Sequence, residues 1–267
     1  MPEGDTVFLA GKRFAQALAG KTLLRGQFRV PQLATVDLAG RDVLGVGTVG
    51  KHLFTRFSGD LTLHSHLKLD GSWDVYPAGA KWRKPGHHAR VVLTAADVQV
   101  IGFRVHDLQL LPTAKEHDLV AHLGPDLLDP QWTDEHQARA AAALAADPDR
   151  ELGLALLDQR VMAGIGNLYK CEMCYLLGVT PWTPVSEVDA ATTVMLGRKL
   201  LIANAWRFEQ CTTNDLTRGR HTWVYARERR GCLHCGGRVL VRTQGHDVQR
   251  RPTWFCPKCQ SGPAPTS

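Results

Sequence analysis

Near the N-terminus apolar residues recur at helical spacing, at Val7, Ala10, Phe14 and Leu18. That pattern predicts an opening helix with Asp5 or Thr6 at its cap. From about Thr22 to Leu111 the period shortens to that of strands. Leu61 and Leu63 alternate with Thr62 and His64, and Val91-Val92-Leu93 and Val98 to Ile101 are short β-type runs. Ser58-Gly59-Asp60, between Phe57 and Leu61, predicts a hairpin turn. From Leu119 to Phe208 the pattern is helical. An alanine-rich helix over Ala138 to Ala146 is bounded by Asp129-Pro130 and Asp147-Pro148. A helix follows over Glu151 to Ala163, with Leu152, Leu156, Leu157 and Val161 inward. Gly164-Ile165-Gly166 interrupts it, and Asn167 starts a further helix to Leu177 that ends at Gly178. Strand-like runs return at Arg238 to Arg242 and Thr253 to Phe255, the two arms of a hairpin.

These elements predict a multi-domain α+β chain. Residues 1–112 form an N-terminal β-sandwich with a flanking helix, 113–215 a helical domain, and 216–260 a cysteine-bearing hairpin. The linker between the first two lies near Leu111-Pro112-Thr113. The tail, 261–267, is too small and polar to fold and is expected to be disordered.

Composition narrows the class. The chain has 267 residues, 44% hydrophobic and 22% charged, as expected of a soluble globular protein. No apolar run is long enough for a membrane span, and no secretory pattern opens the chain, so a cytoplasmic protein is expected. Charge is unevenly spread. Asp215 to Cys259 carries ten Lys/Arg and three Asp/Glu, a net of +7, whereas the whole chain carries +6. Such a concentration suits a polyanion contact, although a solvated basic surface has the same composition.

The cysteines sharpen this. Cys232-x2-Cys235 and Cys256-x2-Cys259, twenty residues apart, place two pairs of thiolates on two tight turns. That spacing predicts one tetrahedral Zn²⁺ with no open position, structural rather than catalytic. The chain has seven cysteines in all, and with four of them zinc-like a reducing compartment is implied. Cys171 and Cys174 read as buried helix residues.

The first residues carry possible chemistry. If Met1 is removed, Pro2 becomes a terminal secondary amine. α-Amines titrate at about 7.7–8.0, so a share is neutral and nucleophilic near neutral pH. Such an amine can attack a carbonyl-level carbon to give an iminium, and Glu3 can act as general acid. A common second-codon pairing accounts equally well for Pro2-Glu3 taken alone. Lys51, after Gly50 at the mouth of a strand, presents its ammonium group to solvent or to a phosphate. Leu69, in His66-Leu67-Lys68-Leu69-Asp70-Gly71, reads on its own as a buried strand residue. His64, His66, His87 and His88 lack the carboxylate spacing of a second metal site.

Taken in order, Met1-Pro2-Glu3-Gly4-Asp5, Gly50-Lys51-His52-Leu53, Gly164-Ile165-Gly166-Asn167 and the four cysteines resemble the formamidopyrimidine-DNA glycosylase/endonuclease VIII family, over residues 1 to about 260. The resemblance is closest to the bacterial endonuclease VIII branch, in particular its actinobacterial members. It implies a helix-two-turns-helix in the helical domain and a β-hairpin zinc finger. It implies a bifunctional DNA glycosylase/AP lyase of base excision repair, with Pro2 as Schiff-base nucleophile and Glu3 as general acid. It also implies that Lys51 and Asn167 bind phosphates, that Leu69 fills the gap left by an extruded base, and that Arg251, with Arg250 as competitor, is the finger-tip arginine. The partner is damaged double-stranded DNA and the protein is expected to be a monomer. Ile101-Gly102-Phe103-Arg104-Val105-His106-Asp107 departs from the Asp-Pro-Arg-Arg-Phe-Gly motif of the formamidopyrimidine glycosylases. Oxidised pyrimidines are therefore the expected lesions. Oxidised purines are the rival within the family, and a non-catalytic zinc-finger nucleic-acid-binding protein is the rival outside it.

Overall fold

The computed structural model describes residues 2–247 and 250–265. Met1 lies outside the described residues, as do Thr266 and Ser267 of the expected tail. The chain divides into two compact units, residues 1–122 and 123–267.

The first unit opens with helix α1, Gly4–Leu18. Its buried face holds Val7, Phe14 and Leu18, the spacing read from the sequence. The cap position is Glu3 rather than Asp5 or Thr6, and its side chain makes no capping hydrogen bond. Eight strands follow in two antiparallel sheets. β1 (Arg25–Phe28), β6 (Ala89–Thr94), β7 (Val98–Phe103) and β5 (Ser72–Pro77) form one, in the order β1-β6-β7-β5. β2 (Val43–Val49), β3 (His52–Phe57), β4 (Leu61–His66) and β8 (Asp107–Pro112) form the other, in the order β2-β3-β4-β8. One core joins both sheets and the helix, through Phe14, Leu18, Leu53, Phe57, Leu63, Trp73, Val91 and Val100. The predicted β3–β4 hairpin is present, with Phe57 opposite Leu61 and left-handed backbone at Gly59 and Asp60.

The break between units falls after His122, later than the expected linker at Leu111–Thr113. The short helix α2 (Glu116–Val120) stays with the first unit because Glu116 is tied to the outer face of the second sheet. Arg56 grips it with two guanidinium nitrogens, at 2.9 and 2.6 Å, and the Thr62 hydroxyl donates to it at 2.6 Å.

The second unit holds α3 (Asp134–Ala145), α4 (Leu152–Leu157), α5 (Asn167–Leu176) and α6 (Ala190–Asn204), then the hairpin β9 (Leu240–Gln244) and β10 (Arg251–Phe255). α4 is shorter than the helix expected to reach Ala163. It stops at Asp158, whose carboxylate takes Arg150 at 3.1 Å and Arg160 at 2.8 Å. The segment after it then folds back, and the Gln159 amide donates to the carbonyls of Leu157 and Ile165 at 2.8 and 2.9 Å.

The start of the tail is fixed rather than disordered. Ser261 donates to the Gly178 carbonyl at 2.9 Å, and Thr180 donates to the Ser261 carbonyl at 2.8 Å. Backbone pairing of this kind needs no apolar side chains, which is why composition did not reveal it.

Candidate active site and metal centre

Helix α1 fixes the first of the expected catalytic residues. Pro2 is half-buried, and Glu3 is fully buried at 0% exposure. The Glu3 carbonyl accepts the Val7 amide at 3.0 Å, which starts the helix. The helix packs on β2, where Gly11 allows close approach: a Cβ there would lie 2.6 Å from the Thr48 methyl. Thr48 lies in the strand that leads into the Val49–His52 turn. Gly50 has a φ of +56°, a left-handed conformation that glycine adopts without steric cost, and Lys51 follows it. One helix–strand contact therefore positions both the Pro2-Glu3 start and the Lys51 turn.

Leu69 is not a buried strand residue. It is 67% exposed, in the connection from β4 to β5.

The outer face of β3 and β4 carries a cluster that the sequence reading missed. His52 lies opposite His66 across the ladder, and its Nδ1 is 2.9 Å from His64 Nε2. His122 stands edge-on to the His52 ring at 6.5 Å. Burial pushes the His52 pKa down to about 3 and the His66 pKa to about 4, with charged and histidine neighbours adding to the effect. His87 and His88 instead meet edge to face, with ring centroids 4.2 Å apart. Alternation along β4 put His64 and His66 on one face, but only the strand pairing supplies His52.

In the second unit α5 braces the cysteine-bearing hairpin. Asn167, buried at its first turn, donates its side-chain amide to the Pro252 carbonyl at 2.8 Å. The buried Lys170 ammonium donates to the Thr253 hydroxyl. Glu172, fully buried, accepts the backbone amides of Trp223, Val224 and Tyr225 at 2.7, 2.9 and 2.8 Å and the Thr212 hydroxyl. Burial pushes its pKa up against the pull of those donors. Cys171 packs with Cys232 and Cys256, while Cys174 lies in the helical core, so both are helix-core residues as expected. Arg251 begins β10 opposite Gln244, next to the Pro252 that Asn167 holds. Arg250 precedes the strand and is exposed. One hydrogen bond thus sets Asn167 against the strand that Arg251 begins, a contact that no local pattern signals.

The four cysteines converge as their spacing predicts. The sulfurs of Cys232, Cys235, Cys256 and Cys259 all lie within 4.8 Å of one another. Cys235 and Cys256 are 3.5 Å apart, and Cys232 and Cys259 3.9 Å. The Gly237 amide points at Cys235 Sγ from 3.4 Å and pulls its pKa down to about 7. Four sulfurs at these separations, one already favoured as a thiolate, fit a single tetrahedral metal ion.

Residues 1–111 match the model of the formamidopyrimidine-DNA glycosylase N-terminal domain. A Streptomyces coelicolor protein named "Probable endonuclease 8 2" is 54% identical over 99% of this chain and 96% of its own length. DNA-(apurinic or apyrimidinic site) lyase Nei2 of Mycolicibacterium smegmatis is 44% identical over 98% of this chain and 99% of its own. Endonuclease 8 of Escherichia coli O157:H7 is 32% identical over 97% of this chain and all of its own, 100%. Among solved structures, Lactococcus lactis Fpg (MutM) bound to DNA containing N7-benzyl-Fapy-dG has a TM-score of 0.77 at 21% identity. That match covers 98% of this chain and 100% of the other, and it establishes the shared fold. With the fold and the relatives in agreement from end to end, the chain belongs to the formamidopyrimidine-DNA glycosylase/endonuclease VIII family.

Proposed function

We propose that this protein is a bifunctional DNA glycosylase/AP lyase of base excision repair. In this reading it removes oxidised pyrimidines from damaged double-stranded DNA, as a monomer in the bacterial cytoplasm. The observation that carries the reading is the pairing of a half-buried Pro2 with a fully buried Glu3 at the start of one helix. Relatives named endonuclease 8, or AP lyase, support the reaction class.

The chemistry follows from those two residues. With Met1 removed, the Pro2 nitrogen attacks C1′ of the damaged nucleotide. The base leaves with the glycosidic electron pair, and Glu3 protonates the sugar oxygen as the ring opens. A carboxyl shielded from bulk water can deliver that proton without losing it to solvent. The resulting iminium draws electrons from C2′–H, so a proton leaves C2′ and the 3′ phosphate is eliminated. A second elimination releases the 5′ phosphate. Lys51 and Arg251 act on the flanking phosphates in this reading, and Asn167 holds the strand that carries Arg251. Arg250 adds an exposed phosphate contact. The four cysteines hold one structural Zn²⁺, which folds the finger and takes no part in the bond changes. Phosphate contacts of this kind position the strand, and they make binding weaken steeply with salt.

A panel of lesion duplexes tests the substrate. Thymine glycol and dihydrouracil are expected to be cut faster than 8-oxoguanine opposite cytosine. The reverse order would assign the enzyme to oxidised purines. Pro2→Gly is expected to reduce nicking far more than DNA binding, and equal losses in both would favour a non-catalytic binding protein.

A further inference from the structure

Two connections cross between the sheets of the first unit side by side. One runs from β4 to β5 and the other from β7 to β8, and these strands are themselves paired, β4 with β8 and β5 with β7. Each crossover is pinned by a buried apolar residue, Leu67 in the first at 2% exposure and Val105 in the second at 0%. Beyond its pin the first crossover is a tight turn. The Gly71 amide donates to the Leu67 carbonyl at 2.9 Å, and a Cβ at position 71 would lie 2.6 Å from that oxygen. Leu69 stands at the apex.

The residues on either side of Leu69 are tied to the second crossover and to the first residue of the strand after it. Lys68 Nζ pairs with Asp107 at 2.9 Å, and Asp70 pairs with Arg104 Nη1 at 3.1 Å. Lys68 and Arg104 both have a φ of 51°, a conformation that side-chain-bearing residues seldom adopt. Each is held there by a further contact. The Lys68 amide donates to His66 Nδ1 at 2.9 Å, and the Arg104 amide donates to the His88 carbonyl at 2.8 Å.

We infer that the Lys68–Asp107 and Asp70–Arg104 ion pairs clamp this turn so that Leu69 is presented as a rigid wedge before DNA arrives. Asp70, Arg104, Lys68 and Asp107 are then positioning residues for base extrusion. The inference rests on the repair-enzyme reading above. An apolar side chain that props open a base stack must resist the push of the closing stack. A clamped apex does so without first losing loop freedom, so binding energy goes into unstacking.

The test uses the full-length protein and a duplex with 2-aminopurine beside a non-cleavable tetrahydrofuran abasic analogue. Wedge entry unstacks the 2-aminopurine and raises its fluorescence. Asp70→Arg and Arg104→Asp are each expected to lose most of that rise. Each should slow single-turnover excision of dihydrouracil from duplex by about tenfold to a hundredfold, the scale set by a small misplacement. Cleavage of an abasic site in single-stranded DNA should not change. The double exchange, Asp70→Arg with Arg104→Asp, should restore duplex excision to within about twofold, and Arg104→Lys should retain the rise. Full fluorescence in the single variants, or no rescue in the double exchange, would overturn the clamp. Loss of the rise in Leu69→Ala identifies the wedge independently. If Leu69→Ala kept the full rise the wedge would be wrong and the clamp with it, whereas absence of any lyase activity in the unaltered protein would instead refute the repair-enzyme reading.

Discussion

The Asn167 side-chain amide donates to the Pro252 carbonyl at 2.8 Å, across 85 residues of sequence and next to Arg251. Pro252 is exposed, so truncating Asn167 costs the net worth of one hydrogen bond, typically about 0.5–1.5 kcal/mol. Asn167→Ala is therefore expected to lower the stability of the second unit by that amount and to slow abasic-site cleavage. Because both residues act through one strand, adding it to Arg251→Ala should cost much less than the sum of the two. A double-mutant cycle on cleavage rate reads the coupling directly, and strict additivity would separate the two residues.

Gly11 sets how closely α1 approaches β2. Alanine is the better helix former by about 1 kcal/mol. Its Cβ would meet the Thr48 methyl at 2.6 Å, and overpacking of this kind costs about 1–3 kcal/mol. Gly11→Ala is expected to destabilise the protein slightly and, by moving the Pro2-Glu3 start relative to Lys51, to reduce excision more than stability. Urea denaturation with single-turnover kinetics checks both, and a stabilised, fully active variant would show that the helix yields there.

Metal analysis should find one zinc per chain on the four cysteines. Cys256→Ser or a strong chelator is expected to abolish DNA binding by unfolding the hairpin of β9 and β10. The first unit has its own core and no cysteine among its residues, so its near-ultraviolet signal should persist.

Burial, aided by neighbouring histidines at His52 and chiefly by Lys68 at His66, holds His52 near 3 and His66 near 4, against an ordinary 6.5, and burial lowers His64 as well. Asp107 opposes the shift in all three. In that window the unfolded chain takes up protons that the folded one refuses, so stability should fall as pH drops from about 6.5 to about 4. His52→Gln removes the most strongly shifted of these groups. It is expected to flatten the pH dependence of the urea midpoint, and an unchanged slope would mean that these rings do not govern acid sensitivity.

Local patterns carried much of this account. The β3–β4 turn, the glycine break before Asn167 and the cysteine spacing are each decided within a few residues, and the chain states them openly. What stayed hidden depends on partners far away in sequence. His52 meets His64 only because β3 pairs with β4. α4 ends at Leu157, against its apolar periodicity, because Asp158 draws in Arg150 and Arg160. Local sequence does not separate Leu67 from Leu69, and only the turn around them puts Leu67 inside and Leu69 outside. Arg250 and Arg251 are alike in local sequence, and only the strand register separates their settings, with Arg251 opposite Gln244 and Arg250 outside the strand.

In the proposed reaction the Pro2 nitrogen bonds to the sugar of the damaged nucleotide. Borohydride reduction during reaction with abasic-site DNA, followed by mass spectrometry of the digested adduct, tests it most directly. One DNA adduct per protein is expected, on the peptide that begins with Pro2, and none when Met1 is retained. An adduct mapped to Lys51 or any other lysine, or no adduct with active protein, would contradict it.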